Sequence, residues 1–342
     1  MNRQELVKTL DLVKPALASN AMIPIFQCFT FQDGKVSAYD DAIAIVGPTE
    51  VEDTCGIHGA TLLGLLSNSK AEDAEFVFKD REIVTVTLGK TVSKLPFYPL
   101  ENFIFEAPAK KEAWAYKVPF TESLFDALKM CLETVSTDAT QAALLGITIQ
   151  GDKMYACNGD SLTRVQLKHG TGKNRVLMST AFCNAVCKMW ATLKVTSGAI
   201  RFNENWAFAD FGDWSVYGRI LEVKEPIDFE DLIKTTVKSD TVMTPVPKSL
   251  NEALSRARVL ADPESQKTKL TVTKGKLQLL TETHMGEIKD DLVLKGHPDV
   301  TANINASHVQ HALEYCDHMA VLENCIVLEK DPDVFLLVSN MN

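Results

Sequence analysis

Apolar residues recur at helical spacing in six stretches of the chain. The first stretch is marked by Leu6, Leu10 and Val13, and later ones begin near Leu124 and Leu250. Runs rich in β-branched and aromatic residues lie between these stretches, and such runs favour strands. The pattern predicts helices at residues 2–18, 58–71, 121–133, 178–194, 247–260 and 304–318, with strands between them.

The order of these elements recurs three times along the chain. Each repeat opens with a helix, continues with two strand-like runs around a glycine turn, and adds a second helix and more strands. The turns are Asp33-Gly34-Lys35, Gly151-Asp152-Lys153 and Lys274-Gly275-Lys276. Two helices on one face of an antiparallel sheet make an α+β fold. We therefore predict three repeated α+β domains, at 1–113, 114–237 and 238–342.

Composition and charge limit the possible classes of protein. The 342 residues are 46% hydrophobic and 23% charged, which is typical of a folded chain rather than a disordered one. No apolar run reaches the roughly 18 residues of a membrane span, and the start lacks a signal peptide, so we expect a cytoplasmic protein without membrane contact. Eight scattered cysteines without a Cys-x-x-Cys pair indicate reduced, buried thiols. The net charge of −10 excludes a protein that binds nucleic acid over its whole surface.

Several short motifs, taken in order, resemble those of the bacterial DNA polymerase III beta subunit, the sliding clamp. They cover all three repeats, and each is weak alone. They are Ile23-Pro24-Ile25-Phe26, Ser93-Lys94-Leu95-Pro96, Ala156-Cys157-Asn158-Gly159-Asp160-Ser161-Leu162, Pro226-Ile227-Asp228-Phe229-Glu230-Asp231-Leu232-Ile233, Arg256-Ala257-Arg258-Val259-Leu260 and Asn305-Ala306-Ser307-His308-Val309.

The resemblance implies a DNA clamp fold and a head-to-tail homodimer whose six repeats form a ring around duplex DNA. Such a protein is a processivity factor for DNA replication and has no active site, metal or cofactor. Enclosure requires only weak, sequence-independent phosphate contacts. The six predicted helices sum to +2, whereas the whole chain carries −10. The predicted DNA contacts are Lys8, Lys188, Arg256 and Arg258.

The resemblance also implies two protein contacts. Polymerases and clamp loaders would dock short peptides in an apolar cleft between the second and third repeats. The predicted cleft residues are Cys157, Gly159, Leu162, Leu232, Ile233, Val338 and Met341. The second copy of the chain would be contacted by Val259, Leu260, Leu100 and Phe103.

Two enzyme hypotheses compete with the clamp. Gly159-Asp160-Ser161-Leu162 matches the signature of GDSL hydrolases, in which the serine is a nucleophile, but the chain has no Asp-x-x-His to supply a base. His308 and His311 share a helix face and could begin a metal site, although no carboxylate or cysteine pattern completes it. The clamp is the favoured interpretation, and a hydrolase or metalloenzyme using Ser161 or the His308 region is the alternative.

Overall fold

The computed structural model describes residues 1–79, 82–106, 114, 116–172, 174–195, 197–263, 265–330 and 333–339, with only the backbone of residue 102. Within these residues, six helices lie at the predicted places and a seventh lies in the segment after Pro226. The helices are α1 (Arg3–Val13), α2 (Gly59–Ser67), α3 (Glu122–Leu132), α4 (Thr180–Leu193), α5 (Phe229–Thr236), α6 (Leu250–Leu260) and α7 (Ala306–Ala312).

Local side chains fix where these helices begin. Asn2 caps α1 by accepting hydrogen bonds from the backbone N–H groups of Gln4 and Glu5, and Ser179 caps α4 through Phe182 N–H. The first helix is shorter than predicted because Pro15 lies in a 3₁₀ turn, Lys14–Ala16, that follows α1.

The chain divides into two compact units. Unit 1 contains residues 1–125 and 176–221, and unit 2 contains residues 126–175 and 222–342. The division therefore falls inside the predicted second domain, because the sheets follow different boundaries from the sequence repeats. The three domains at 1–113, 114–237 and 238–342 stay a prediction, and the first boundary lies outside the described residues.

Unit 1 is built on an eight-stranded antiparallel sheet in the order β4-β1-β2-β3-β15-β14-β13-β8. Its strands are β1 (Cys28–Gln32), β2 (Lys35–Tyr39), β3 (Ile43–Pro48), β4 (Cys55–His58), β8 (Tyr116–Pro119), β13 (Ala199–Phe202), β14 (Trp206–Asp210) and β15 (Ser215–Arg219). The pairing of β3 with β15 joins a strand of the first repeat to a strand of the second. A smaller sheet of the same unit has the order β5-β6-β7 and consists of β5 (Glu75–Lys79), β6 (Ile83–Leu88) and β7 (Thr91–Pro96).

Unit 2 repeats this plan with other strands. Its larger sheet contains the order β9-β10-β11-β23-β22-β21-β16, in which β11 and β23 join the second repeat to the third. These strands are β9 (Gly146–Gln150), β10 (Lys153–Cys157), β11 (Ser161–Gln166), β16 (Thr244–Pro245), β21 (His318–Val321), β22 (Cys325–Lys330) and β23 (Val334–Ser339). The strand β12 (Arg175–Ser179) lies where the chain passes from unit 2 to unit 1.

A four-stranded sheet completes unit 2, in the order β19-β18-β17-β20. Its strands are β17 (Lys267–Thr273), β18 (Lys276–Thr283), β19 (Gly286–Val293) and β20 (Val300–Asn305). The helices α6 and α7 pack beside each other, α6 against β18 and β19 and α7 against β20 and β23. The α+β prediction is therefore confirmed.

The three predicted glycine turns are all tight hairpins between antiparallel strands. Each turn has backbone with positive φ, at Asp33 and Gly34, at Gly151, and at Lys274 and Gly275. Positive φ is the conformation that two-residue hairpin turns require and that glycine adopts without strain.

Helix-to-sheet packing forms the core of unit 1. The α4 residues Phe182, Val186 and Met189 are buried as the helical spacing predicts, and Leu193 is half-buried. Gly218 on β15 allows this contact, since a Cβ there would lie 2.7 Å from Phe182. Seven of the eight cysteines are buried, and burial raises the pKa of the Cys28, Cys55 and Cys316 thiols to about 12. No described helix is long and apolar enough to cross a membrane.

Candidate nucleic-acid and partner surfaces

Two of the predicted DNA contacts lie on adjacent helices of unit 1. Lys8 is exposed on α1, and no ion pair or hydrogen bond engages its ammonium among the described residues. Lys188 is exposed on α4, where its Nζ donates a hydrogen bond of 2.5 Å to the backbone carbonyl of Asp11 on α1. The two helices therefore present Lys8 as a free charge and Lys188 as a charge tied to the neighbouring helix.

The other two predicted contacts lie on α6 in unit 2, and both have partners within the chain. Arg256 donates two hydrogen bonds to Asp290 on β19, at 2.8 and 3.1 Å. Arg258 donates to the amide oxygens of Gln310 at 2.7 Å and Gln266 at 3.3 Å. The Asp290 carboxylate offsets the charge of Arg256, so this arginine is a weaker phosphate contact than the sequence predicts. Among the described residues, Arg258 has neutral amide partners and no carboxylate partner.

Three residues of the predicted partner cleft belong to one hydrophobic cluster on the sheet of unit 2. Cys157, Leu162 and Ile233 are buried in this cluster, whereas Leu232 is 40% exposed beside it. Sequence reasoning did not include the other buried members: Leu144, Tyr155, Phe229, Ala320, Cys325, Val327, Phe335 and Leu337. Among the described members of the predicted set, Leu232 is thus the large apolar side chain that a partner could reach.

The connector helix α5 is held against this sheet by polar and aromatic contacts. Glu230 accepts hydrogen bonds from Lys153 Nζ at 3.0 Å and Tyr155 Oη at 2.8 Å, and Arg164 Nη1 lies 3.8 Å away. The Phe229 ring stacks on Tyr155 with 5.0 Å between centroids. Burial opposes ionisation of Glu230, but the hydrogen bonds from Lys153 and Tyr155 and the positive charges outweigh it and lower its pKa.

In the loop before β11, the backbone at Gly159 is unobstructed, and the residues that follow it are held by hydrogen bonds. Gly159 has a φ of +95° and no atom within 4 Å of a Cβ built on it. Asn158 Oδ1 accepts hydrogen bonds from the backbone N–H groups of Asp160 and Ser161. Val338 lies opposite Ser161 in the β11–β23 ladder and is buried, while Met341 lies outside the described residues. The cleft assignment stays a prediction.

The predicted subunit contacts fall into two groups. On α6, Val259 is 75% exposed and Leu260 is half-buried, as residues at the edge of an interface would be. In unit 1, Leu100 is half-buried, whereas Phe103 belongs to an aromatic cluster with Tyr39 and Phe105. Because of these internal contacts, less of the Phe103 ring is available to contact a second copy than the sequence predicts.

Each smaller sheet has two edge strands, β5 and β7 in one sheet and β19 and β20 in the other. Among the described residues, β7 pairs only with β6 and β19 pairs only with β18. Val92 on β7 and Val293 on β19 are 61% and 64% exposed. Long exposed edge strands readily pair with another chain. Sequence reasoning missed these edges because strand order within a sheet depends on non-local pairing.

The enzyme hypotheses find no support in this geometry. The Ser161 hydroxyl donates to Asn158 Oδ1 at 3.1 Å rather than to a histidine. A cavity of about 70 Å³ is lined by Ser161, His308 and His311, and it has room for only a few water molecules. No group of three or more potential metal ligands occurs among the described residues. Burial, followed by the neighbouring His311, lowers the pKa of His308 against the opposing effect of Asp160.

Known proteins resemble this chain in structure rather than in sequence. No family model and no curated protein matches the sequence. The DNA polymerase III beta subunit from Thermotoga maritima superimposes with a TM-score of 0.84 at 16% identity, over 100% of this chain and 98% of that one. A putative beta subunit from Eubacterium rectale gives 0.86 at 13% identity, and the sliding clamp from Pseudomonas aeruginosa gives 0.83 at 15%, each with the same coverage. The chain therefore has the fold of the DNA polymerase III beta subunit.

Proposed function

We propose that this chain is a sliding clamp: two copies close head to tail into a ring that encircles duplex DNA and tethers a DNA polymerase in the cytoplasm. The ring itself has no catalytic role. Its retention on DNA is topological, because a closed ring cannot leave a duplex sideways.

The observation that carries this proposal is that two sheets of the chain join strands of successive repeats, whereas the two smaller sheets keep an unpaired edge in the part of the chain that the structure describes. In both larger sheets, strands of successive repeats pair to form one continuous sheet. Of the edge strands of the two smaller sheets, β7 and β19 are the last strands of their meanders, as β3, β15, β11 and β23 are in the internal joins. A second copy that pairs β19 with β7 would complete the same join between third and first repeats, and two such joins close a ring.

Charge is compatible with a ring that slides. The helices are less acidic than the remainder of the chain, and Lys8 and Arg258 supply positive charge on two of them. Weak phosphate contacts permit movement along DNA without sequence preference. We expect salt-sensitive, sequence-independent affinity for DNA rather than tight binding.

Polymerase and clamp loader would use the cluster around α5. An extended peptide would place an apolar anchor on exposed Leu232 and could also approach the unobstructed backbone at Gly159. The buried residues Cys157, Leu162 and Ile233 would support this surface rather than touch the peptide.

Sedimentation equilibrium and electron microscopy test the assembly. We expect a particle of twice the 37.8 kDa chain mass, with class averages that show a closed ring wide enough for duplex DNA. A monomer at micromolar concentration, or a dimer without a central hole, would contradict the proposal.

A further inference from the structure

The two joins inside the chain follow one register. In the first, the pair is Val46 with Ser215, and in the second it is Arg164 with Phe335. Counted from the hairpin turn that precedes each strand, Val46 and Arg164 are both the fourth residue. Counted in the same way, Ser215 and Phe335 are both the second residue. Each count begins at the first residue that pairs with the preceding strand of its hairpin. For Ser215 this residue is Trp214, opposite Phe211, and for Phe335 it is Val334, opposite Lys330.

The same rule assigns a register to the two open edges. The strand β19 begins after the turn that ends at Met285, so its fourth residue is Lys289. The strand β7 begins after the Gly89-Lys90 turn, so its second residue is Val92. An antiparallel join of β19 to β7 of a second copy would thus place Lys289 opposite Val92.

Charges on the two strands complement each other in this register. Two positions to either side of the central pair, Lys94 on β7 lies opposite Glu287, and Lys90, the turn residue that immediately precedes β7, falls next to Asp291. These four side chains belong to exposed residues, and none of them was used to derive the register. Shifting the register by two residues, which keeps the same faces of the strands together, places Lys289 opposite Lys90 or opposite Lys94 and so brings like charges together.

We propose that Lys90 and Lys94 of one copy pair with Asp291 and Glu287 of a second copy, and that these charges select the pairing of β7 with β19. The proposal rests on the ring described above and adds the contacts that specify it. Pairing of two β7 strands centred on Val92 would place Lys90 opposite Lys94, and pairing of two β19 strands would place Glu287 opposite Asp291. Like charges directly opposite each other are destabilising in a sheet, so pairing of β7 with β7 or of β19 with β19 is disfavoured.

Two charge-reversed variants test the assignment. One carries Lys90→Glu and Lys94→Glu, and the other carries Glu287→Lys and Asp291→Lys. Each variant alone places like charges across both joins of a dimer, and we expect its dimer dissociation constant to rise about 30-fold or more. When the two variants are mixed, one join contains the reversed pairs and the other contains the original pairs. The mixture should therefore form a dimer with one copy of each variant.

The mixture also shows that both variants fold, since misfolded chains would not recover. A variant with Lys35→Glu and Lys168→Glu, which changes the charge equally at exposed sites away from both edges, should remain a dimer. Sedimentation equilibrium and native mass spectrometry measure each species.

The failures of the two proposals are distinguishable. A wild-type dimer whose variants also dimerise alone would overturn the register, as would a mixture of folded variants that stays monomeric. A monomeric wild-type chain would overturn the ring itself, together with the register.

Discussion

Replacing Glu230 with glutamine should loosen the connector helix α5 from the sheet of unit 2. The carboxylate accepts two hydrogen bonds, from Lys153 and from Tyr155, and its side chain is 32% exposed. A hydrogen bond to a charged group contributes about 1.5–3 kcal/mol, and glutamine can keep one acceptor contact. We therefore expect a loss of about 2 kcal/mol in the free energy that holds α5 in place.

Hydrogen–deuterium exchange measured by mass spectrometry reports on this opening directly. A loss of 2 kcal/mol corresponds to about 30-fold faster exchange of the protected amides in α5. Glu225→Gln, the same substitution at an exposed site before the helix, is the matched control and should leave exchange unchanged. Equal exchange rates for wild type and Glu230→Gln would refute the contribution of this carboxylate.

The pH dependence has a definite sign. The pKa of Glu230 in the folded protein lies below its ordinary value of 4.5, so the unfolded state binds the proton more readily. Its stabilising contribution is present above pH 4.5 and is lost as the pH falls through the lower folded pKa. Wild type and Glu230→Gln should thus differ in thermal stability at neutral pH and converge in acid.

Leu232→Asp should weaken the binding of polymerase-derived peptides by at least about tenfold without altering the dimer, whereas Leu162→Asp should lower the melting temperature because Leu162 is buried. Fluorescence anisotropy with a labelled peptide measures the first effect, and calorimetry measures the second. Unchanged peptide affinity would remove Leu232 from the cleft. The pKa of His308 is lowered in the folded protein, so the free energy of unfolding should fall as the pH drops below 6.5, the ordinary pKa of histidine. His308→Gln should flatten this pH dependence. His169→Gln, the same substitution at an exposed site, should not flatten it. Thermal melts across that range measure the effect, and equal slopes for wild type and His308→Gln would contradict it. Lys8→Gln should reduce the salt dependence of DNA binding by about two units of slope, because both copies in the ring lose the charge. Titration at several salt concentrations measures the slope, and an unchanged slope would exclude a phosphate contact.

Periodic patterns predicted the local structure well. Helical spacing located six helices, and glycine turns located the hairpins, because both signals depend on residues close together in sequence. The seventh helix was missed because α5 is short and its apolar face, with Phe229 and Ile233, is bounded by acidic residues.

Contacts between distant residues could not be predicted in the same way. Sequence spacing placed Arg256 on a helix but could not show that Asp290, on another element, binds it. The motif around Leu162 predicted a cleft residue, but only the structure shows that this side chain is buried and that Leu232 is exposed. The complementary charges on β7 and β19 became recognisable once the internal joins had supplied a register.

Release from DNA after cutting is the measurement that tests enclosure most directly. Chains dissociated by dilution are mixed with a nicked circular plasmid, concentrated so that rings close, and separated by gel filtration at raised salt. We predict that protein stays with the intact circle and leaves when one restriction cut makes the plasmid linear. Equal retention on the circular and the linear plasmid would contradict a clamp that holds DNA by enclosing it.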